Sequence, residues 1–444
     1  MAAQGQGATV AIIGAGPAGL FAARELTNSG IKVALFNRNI KPGGLAEYGI
    51  YPEKYRIKDG LREQFKKILS CDNIAYFGNV SIGENYPLKL DDLRAMGFAA
   101  ILVTCGAQGT KWLGLPGEEL GGVYHAKTLV YYYNHLPPFA TLPIKFGRKV
   151  IVVGVGNVMT DIVRFLVSKP EVEEITTIAR RGPAEVKFDK KELEYVAGYL
   201  DAEDFDREIA RVTPAMKAVG QDPETATIEI RETLAGVEKH EPKPVWRMHF
   251  LYSPQKMSSR DGKSVDTLTI EENILEARNG DFKAKGTGKY AERDADMIVF
   301  AIGDKVDDEL GLPIQGSEFV KSPSPRFPID GNSYELMDEK DPARLDDIFV
   351  GGWSRNASTG MVGIARRDGA NAAKAIMAYL EQKNAAGFVD LNSLEDELKK
   401  RGYRYVKADS LEKLEQEEKE LAETKDLPEF KFDTDDEMLS LMGL

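Results

Sequence analysis

Short β-branched runs alternate with glycine turns from the beginning of the chain. Thr9–Ile13 is a continuous apolar run, Gly14 to Gly19 a turn, residues 20–26 an apolar segment at helical spacing, and Lys32–Phe36 a second apolar run. That is the order expected of a strand, a tight turn, a helix and a parallel strand. The pattern returns at Lys149–Val153, followed by Gly154-Val155-Gly156, a helical segment at 161–167 and a strand at 175–179. Two βαβ units of nucleotide-binding type are therefore predicted. Between them, residues 99–105 read as a buried strand and 106–116 as a glycine-rich crossing segment. Residues 297–303 read as another buried strand, 348–353 as a return to the first domain, and 370–380 as a closing alanine-rich helix. The predicted fold class is α/β, with two Rossmann-like dinucleotide-binding domains and the second inserted in the first. The first domain takes residues 1–108 and 333–384, the second 109–332, and residues 385–444 form an acidic C-terminal extension that reads as a partly helical, solvated arm.

Composition narrows the class. The 444 residues are 43% hydrophobic and 29% charged, enough apolar material for two buried cores. No run approaches the roughly 18 to 20 consecutive apolar residues of a membrane span, and no signal or transit peptide is expected ahead of the first strand. The formal charge of −12 disfavours nucleic acid as a partner. From residue 385 onward there are 17 acidic and 9 basic residues, net −8, which leaves −4 for the rest of the chain. Only Cys71 and Cys105 are present, outside any CxxC pair or ligand cluster, so an iron-sulfur centre, another metal site and a redox-active disulfide are not expected and a reducing cytoplasm is.

The first glycine motif, Gly14-Ala15-Gly16-Pro17-Ala18-Gly19, follows a strand and opens a helix, as a dinucleotide fingerprint requires. One glycine makes the turn, one lets a pyrophosphate reach the backbone, and one lets the helix pack closely. An N-terminal position is typical of flavoproteins. The carboxylate expected at the end of the next strand, for ribose hydroxyls, is Asn37 here, an amide without charge assistance. Pro42-Gly43-Gly44-Leu45 offers flexible backbone where a flavin could pass. The second motif, Gly154-Val155-Gly156-Asn157-Val158-Met159, has Met159 at its third small position and ends its βαβ unit on Arg180-Arg181 instead of an acidic residue. Two guanidiniums there suit a 2′-phosphate, so NADPH is expected over NADH.

With both motifs in place, the chain resembles the adrenodoxin reductase family, which includes the bacterial ferredoxin-NADP reductases of that type. The resemblance is carried by Tyr48-Gly49-Ile50-Tyr51-Pro52, Phe77-Gly78-Asn79-Val80, Leu115-Pro116-Gly117-Glu118-Glu119-Leu120, Arg180-Arg181-Gly182-Pro183 with Lys191-Glu192-Leu193, Ser253-Pro254-Gln255, Gly352-Trp353 with Thr359-Gly360, and the final Asp436-Glu437-Met438-Leu439 and Leu441-Met442-Gly443. It implies FAD in contact with Ala18, Leu45, Val80, Trp353, Gly360, Met361 and Val362, with Asn37 standing where the family has a glutamate. It implies NADP+ or NADPH in contact with Val155, Gly156, Asn157, Val158, Arg180, Arg181, Glu192 and Gly360. Trp353, beside a glycine on the returning strand, also reads as an aromatic plate near the flavin.

Three departures qualify the match. The family's acidic residue and histidine after Tyr51-Pro52 are Glu53 and Lys54 here. Its Arg-Gly-Pro and Thr-Asn are replaced by Arg355-Asn356-Ala357 and Ala365-Arg366-Arg367. The segment 205–218 is less basic than a typical ferredoxin-facing patch. The function implied is a flavoprotein passing electrons between NADPH and a one-electron protein carrier, ferredoxin or a similar iron-sulfur protein, by hydride transfer to flavin N5. Glu192 is the candidate side chain near the nicotinamide, Lys54 the candidate to stabilise reduced-flavin charge, and His125, His135, His240 and His249 are expected to be structural or at the surface. Two alternatives stand beside it. One is an electron-input subunit like the glutamate synthase small subunit, whose usual N-terminal cysteine-rich domain is missing here; the other is a non-catalytic nucleotide-binding protein.

Overall fold

The computed structural model describes residues 7–240, 244–278, 280–383 and 387–444. The chain divides into two units: one comprises the segment up to Thr110, Asn134–Thr141 and Gly303–Leu444, the other Lys111–Tyr133 and Leu142–Ile302.

In the first unit five parallel strands stand in the order Ile348–Val350, Ala100–Val103, Thr9–Ile13, Lys32–Phe36, Ile74–Phe77. Thr9–Ile13 and Lys32–Phe36 are strands with the predicted limits. Their side chains are buried almost throughout, as a parallel sheet covered on both faces demands. One face packs on helices Pro17–Asn28, Tyr55–Leu69 and Val362–Lys383, with Leu20, Phe65 and Ile376 in that core. The other face meets Leu93, Val306, Leu312, Phe319 and Leu345. The chain leaves Thr9–Ile13 toward Lys32–Phe36 on one side and finds Ala100–Val103 on the other, so the strand order reverses at the first strand. In such sheets a ligand sits outside the carboxyl ends of the strands at that reversal.

The second unit repeats the plan: Val123–His125, Met297–Phe300, Lys149–Val153, Glu174–Ile178 and Val245–His249 lie parallel in that order. Beside it is an antiparallel sheet of Tyr252–Ser258, Thr267–Arg278 and Asp281–Asp294, which the pattern of the sequence does not predict. Its Met257, Leu268 and Ile270 pack in one core with Ile298 and Phe300 of the parallel sheet.

Two expectations are revised. Residues 303–332, assigned to the second domain, pack with the first unit because Val306, Leu310, Leu312 and Phe319 fill the core below its sheet. The C-terminal extension is not a solvated arm. Its junction at 385 lies outside the described residues, but Leu394, Leu398, Val406, Leu411, Leu414, Met438 and Leu439 are buried in the two cores of the first unit. Backbone bonds fix it further: Gly78 N donates to Val406 O at 2.8 Å, Val406 N returns to Gly78 O at 2.9 Å, and Thr9 N donates to Gly387 O at 2.8 Å. Its leucines recur at helical spacing in Ala408–Thr424, and the acidic residues between them mask that stripe in a composition count. Among the described residues no helix is long and apolar enough to cross a membrane.

Leu414→Ala is expected to lower the unfolding free energy by about 2–5 kcal/mol in a urea titration. A loss within about 0.5 kcal/mol, as for a surface position, would restore the arm reading.

Candidate functional site

At the carboxyl end of Thr9–Ile13 the backbone is so crowded that a side chain is impossible at two places. A Cβ on Gly14, whose φ is +108°, would lie 2.6 Å from both Cys105 N and Thr104 O, and a Cβ on Gly19 would lie 2.0 Å from Gly14 O. Gly16 is the opposite case: its Cβ position has no atom within 4 Å. It caps helix Pro17–Asn28 without a side-chain partner, so the positive end of the helix dipole meets open backbone, which suits a pyrophosphate.

Neighbouring segments converge on this loop. Gly43 N donates to Ala15 O at 2.7 Å, and a Cβ on Gly44 would stand 3.2 Å from Gly16 Cα, which lays the turn carrying Leu45 against the glycine motif. From the returning strand, Gly352 has φ +65° and its Cβ would be 2.6 Å from that of Ala18; a Cβ on Gly369 would be 2.0 Å from Ala18 O. Helix Val362–Lys383 thus packs hard on helix Pro17–Asn28. Its first residue, Val362, lies about 10 Å further along the axis at 1.5 Å per residue, with Gly360 and Met361 just before it in the chain. Met361 is 73% exposed, and the Trp353 indole donates to Thr359 O at 3.0 Å, tying down the loop before it. Val80 is buried, and its N–H bonds Asn37 O at 2.9 Å.

Asn37 is fully engaged within the protein. Its Oδ1 accepts from Ala15 N at 3.1 Å, while Nδ2 donates to Asn39 O at 2.8 Å and Lys41 O at 2.9 Å and lies 3.3 Å from Tyr76 OH. The two amide hydrogens satisfy two carbonyls, so this side chain braces the glycine loop and the 39–41 turn. A glutamate could not donate those bonds.

Two residues that the motifs do not point to hold the site. Thr104 Oγ1 donates to Gly14 O at 2.8 Å. Asp368 accepts from Gly352 N at 2.6 Å and Tyr334 OH at 3.1 Å, and pairs with Arg355 at 2.7 Å. A threonine leaving a buried strand is a usable signal for the first; nothing local marks the second. Lys54 ends the Pro52–Lys54 turn and precedes helix Tyr55–Leu69. Cys71 and Cys105 are both free. Burial and Asp307 push the Cys105 thiol up to about 11, which keeps it a poor nucleophile near neutral pH.

The second unit has its own copy of the device. Gly154 has φ +129° and its Cβ would fall 2.2 Å from Ala301 O, whereas Gly156 is open and caps helix Asn157–Val167. Met159 is fully buried, filling the place of the third small residue, and Val158 is exposed. Asn157 and Asp189 bond reciprocally, Nδ2 to Oδ2 at 2.7 Å and Asp189 N to Oδ1 at 2.8 Å. Lys187 N also donates to Val155 O at 2.9 Å, which sets the short helix Lys190–Glu194, with Glu192 on it, beside the loop. Past Glu174–Ile178, Arg180 is exposed, and Asn273 Nδ2 holds its carbonyl at 3.0 Å. Arg181 is partly committed, reaching Phe282 O at 3.4 Å and Asp281 at 3.7 Å.

The histidines lie apart from these motifs in sequence and have other partners. His125 Nδ1 accepts from Lys127 N, His135 pairs with Asp433 at 2.7 Å, His249 with Asp204 at 3.0 Å, and His240 stacks on Tyr199. Among the described residues no group of three or more His, Cys, Asp and Glu side chains could hold a metal ion.

Residues 8–203 match the family described as pyridine nucleotide-disulphide oxidoreductase. The chain is 29% identical to the NADPH-ferredoxin reductase FprA of Mycobacterium leprae, over 84% of each protein. It is 24% identical to the mitochondrial NADPH:adrenodoxin oxidoreductase of Arabidopsis thaliana, over 97% of this chain and 94% of that one. The solved structure of Mycobacterium tuberculosis FprA in complex with NADPH superposes with a TM-score of 0.82 at 23% identity, covering 98% of this chain and all of the other, a likeness of fold.

Gly19→Ala is expected to abolish dinucleotide binding by the first unit, since its methyl group would overlap the Gly14 carbonyl, while Gly16→Ala leaves the fold intact and weakens binding. Calorimetric titration of both variants checks this; equal affinity for wild type and Gly19→Ala would contradict it.

Proposed function

We propose that this member of the adrenodoxin reductase family is an FAD-dependent NADPH oxidoreductase that moves electrons between NADPH and a one-electron protein carrier of ferredoxin type. The observation that carries the reading is the pair of open glycines, Gly16 and Gly156, each at the uncapped start of a helix and each in its own parallel sheet. Two such cradles in one chain suit two dinucleotides.

The first cradle takes FAD. Gly16 admits the pyrophosphate, and Gly43-Gly44-Leu45, Val80, Trp353 and the start of helix Val362–Lys383 are the flavin's neighbours. Hydride acceptance at N5 and onward release of single electrons are chemistry that the flavin supplies. The residues bind, orient and exclude water. Asn37 contributes structure in place of a ribose carboxylate, so more of the affinity rests on backbone. The second cradle takes NADPH: Val155 to Val158 hold the pyrophosphate, the exposed guanidinium of Arg180, with Arg181, clamps the 2′-phosphate, and Glu192 approaches the nicotinamide. Lys54 offers a cation for charge on the reduced flavin. We place the protein in the cytoplasm on its two unbridged cysteines.

Because Arg181 already shares its charge with Asp281, Arg180→Ala is the more damaging change. It is expected to raise KM for NADPH about 10- to 100-fold, the scale of a charge-assisted hydrogen bond, with KM for NADH unchanged. Steady-state kinetics with both nucleotides tests this, and equal loss for the two would remove the 2′-phosphate assignment.

A further inference from the structure

The turn that carries Leu45 rests on a cluster of buried charges whose members come from opposite ends of the chain. At its centre Glu47 is 2% exposed. It takes both prongs of Arg62, Nε at 2.7 Å and Nη2 at 2.5 Å, and pairs with Lys41 at 3.3 Å and Lys431 at 3.1 Å. Lys431 also donates to Glu47 O at 2.8 Å. Beyond it Glu418 pairs with Lys41 at 2.5 Å, and Glu429 pairs with Arg62 at 2.5 Å and with Lys58. Lys41, Lys58, Glu418 and Lys431 are all more than nine-tenths buried. The N-terminal part of the chain therefore contributes three cations, Lys41, Lys58 and Arg62, and one carboxylate, Glu47. The segment after residue 408 adds two carboxylates and one cation. A buried ion stripped of its partner is strongly destabilising, so the turn 41–48 cannot keep this geometry without that segment.

We infer that Glu418 and Glu429 are positioning residues for the flavin: acting through Lys41, Arg62 and Glu47, they fix the turn 41–48 against the glycine loop at Gly43 N to Ala15 O. The C-terminal segment is thereby the rear wall of the first cradle, and its docking and dinucleotide binding are coupled, each strengthening the other. The inference deepens the flavin reading and rests on it. It also explains how a site with Asn37 in place of a carboxylate is kept rigid: preorganised backbone reduces the ordering cost of binding.

The test is made on the full chain with Glu418→Gln and Glu429→Gln, which keep side-chain volume and remove charge. Glu395→Gln is the control, removing the charge that meets Lys407 and Tyr405 in the same segment away from the turn. Three quantities are read: apoprotein Tm, amide hydrogen exchange at residues 43–48 of the flavin-free protein, and the Kd for FAD. The two network variants are expected to speed exchange at 43–48 and to raise the FAD Kd about tenfold, a change of about 1.4 kcal/mol, while Glu395→Gln lowers Tm alone. Should all three variants lower Tm alike and leave exchange and FAD affinity at wild-type values, the segment is scaffold and the inference fails. A wild-type chain that takes up no FAD removes the flavin reading instead, and exchange at 43–48 then judges the positioning of the turn by itself.

Discussion

Backbone meets backbone at the carboxyl ends of the central strands, and that close approach decides where both proposed dinucleotide cradles form. Where Gly14 passes Thr104 and Cys105, and where Gly154 passes Ala301, the chain has room for hydrogen alone. The helix after each turn can then start at the sheet edge. Its first amides are left facing the open Gly16 or Gly156, and an anion with two phosphates is the ligand that such an end accommodates. The sites thus arise from packing, and the charged side chains refine them.

In the first unit that packing is braced electrostatically as well as sterically. Asn37, which stands where a ribose carboxylate belongs, spends its amide on Ala15, Asn39 and Lys41. The next residues along, 41–48, are pinned by ion pairs with the C-terminal segment. Burial raises the Glu47 carboxyl, and Lys41, Lys431 and Arg62 together more than reverse that, holding it well below the usual carboxylate range. The acidic end of the chain is in this sense complementary to a basic interior, and its net charge says little about how it behaves in solution.

Much of this was legible in the sequence because it repeats with a period that sterics enforce. Strands Thr9–Ile13, Lys32–Phe36 and Lys149–Val153 fall where the apolar runs put them, and both glycine motifs stand at strand ends. The antiparallel sheet at 252–294 escaped because its outer strand is largely exposed, Asp281–Asp294 showing no buried position, so charged residues hide its alternation. The return at 303 escaped because its apolar residues are scattered between turns. The pairing of Glu418 and Glu429 with Lys41 and Lys58 could not be read at all: it spans more than 350 residues of chain, and neither periodicity nor motif encodes such a partnership.

The most direct measurement is an anaerobic visible spectrum of the purified chain, titrated with NADPH and, separately, with NADH. A flavin band that bleaches with NADPH at far lower concentration than with NADH is the expected result, since it requires both cradles to be filled as assigned. A colourless protein that cannot be reconstituted with FAD would contradict the assignment, and would mean that the amide at Asn37 marks a first site that no longer takes a flavin.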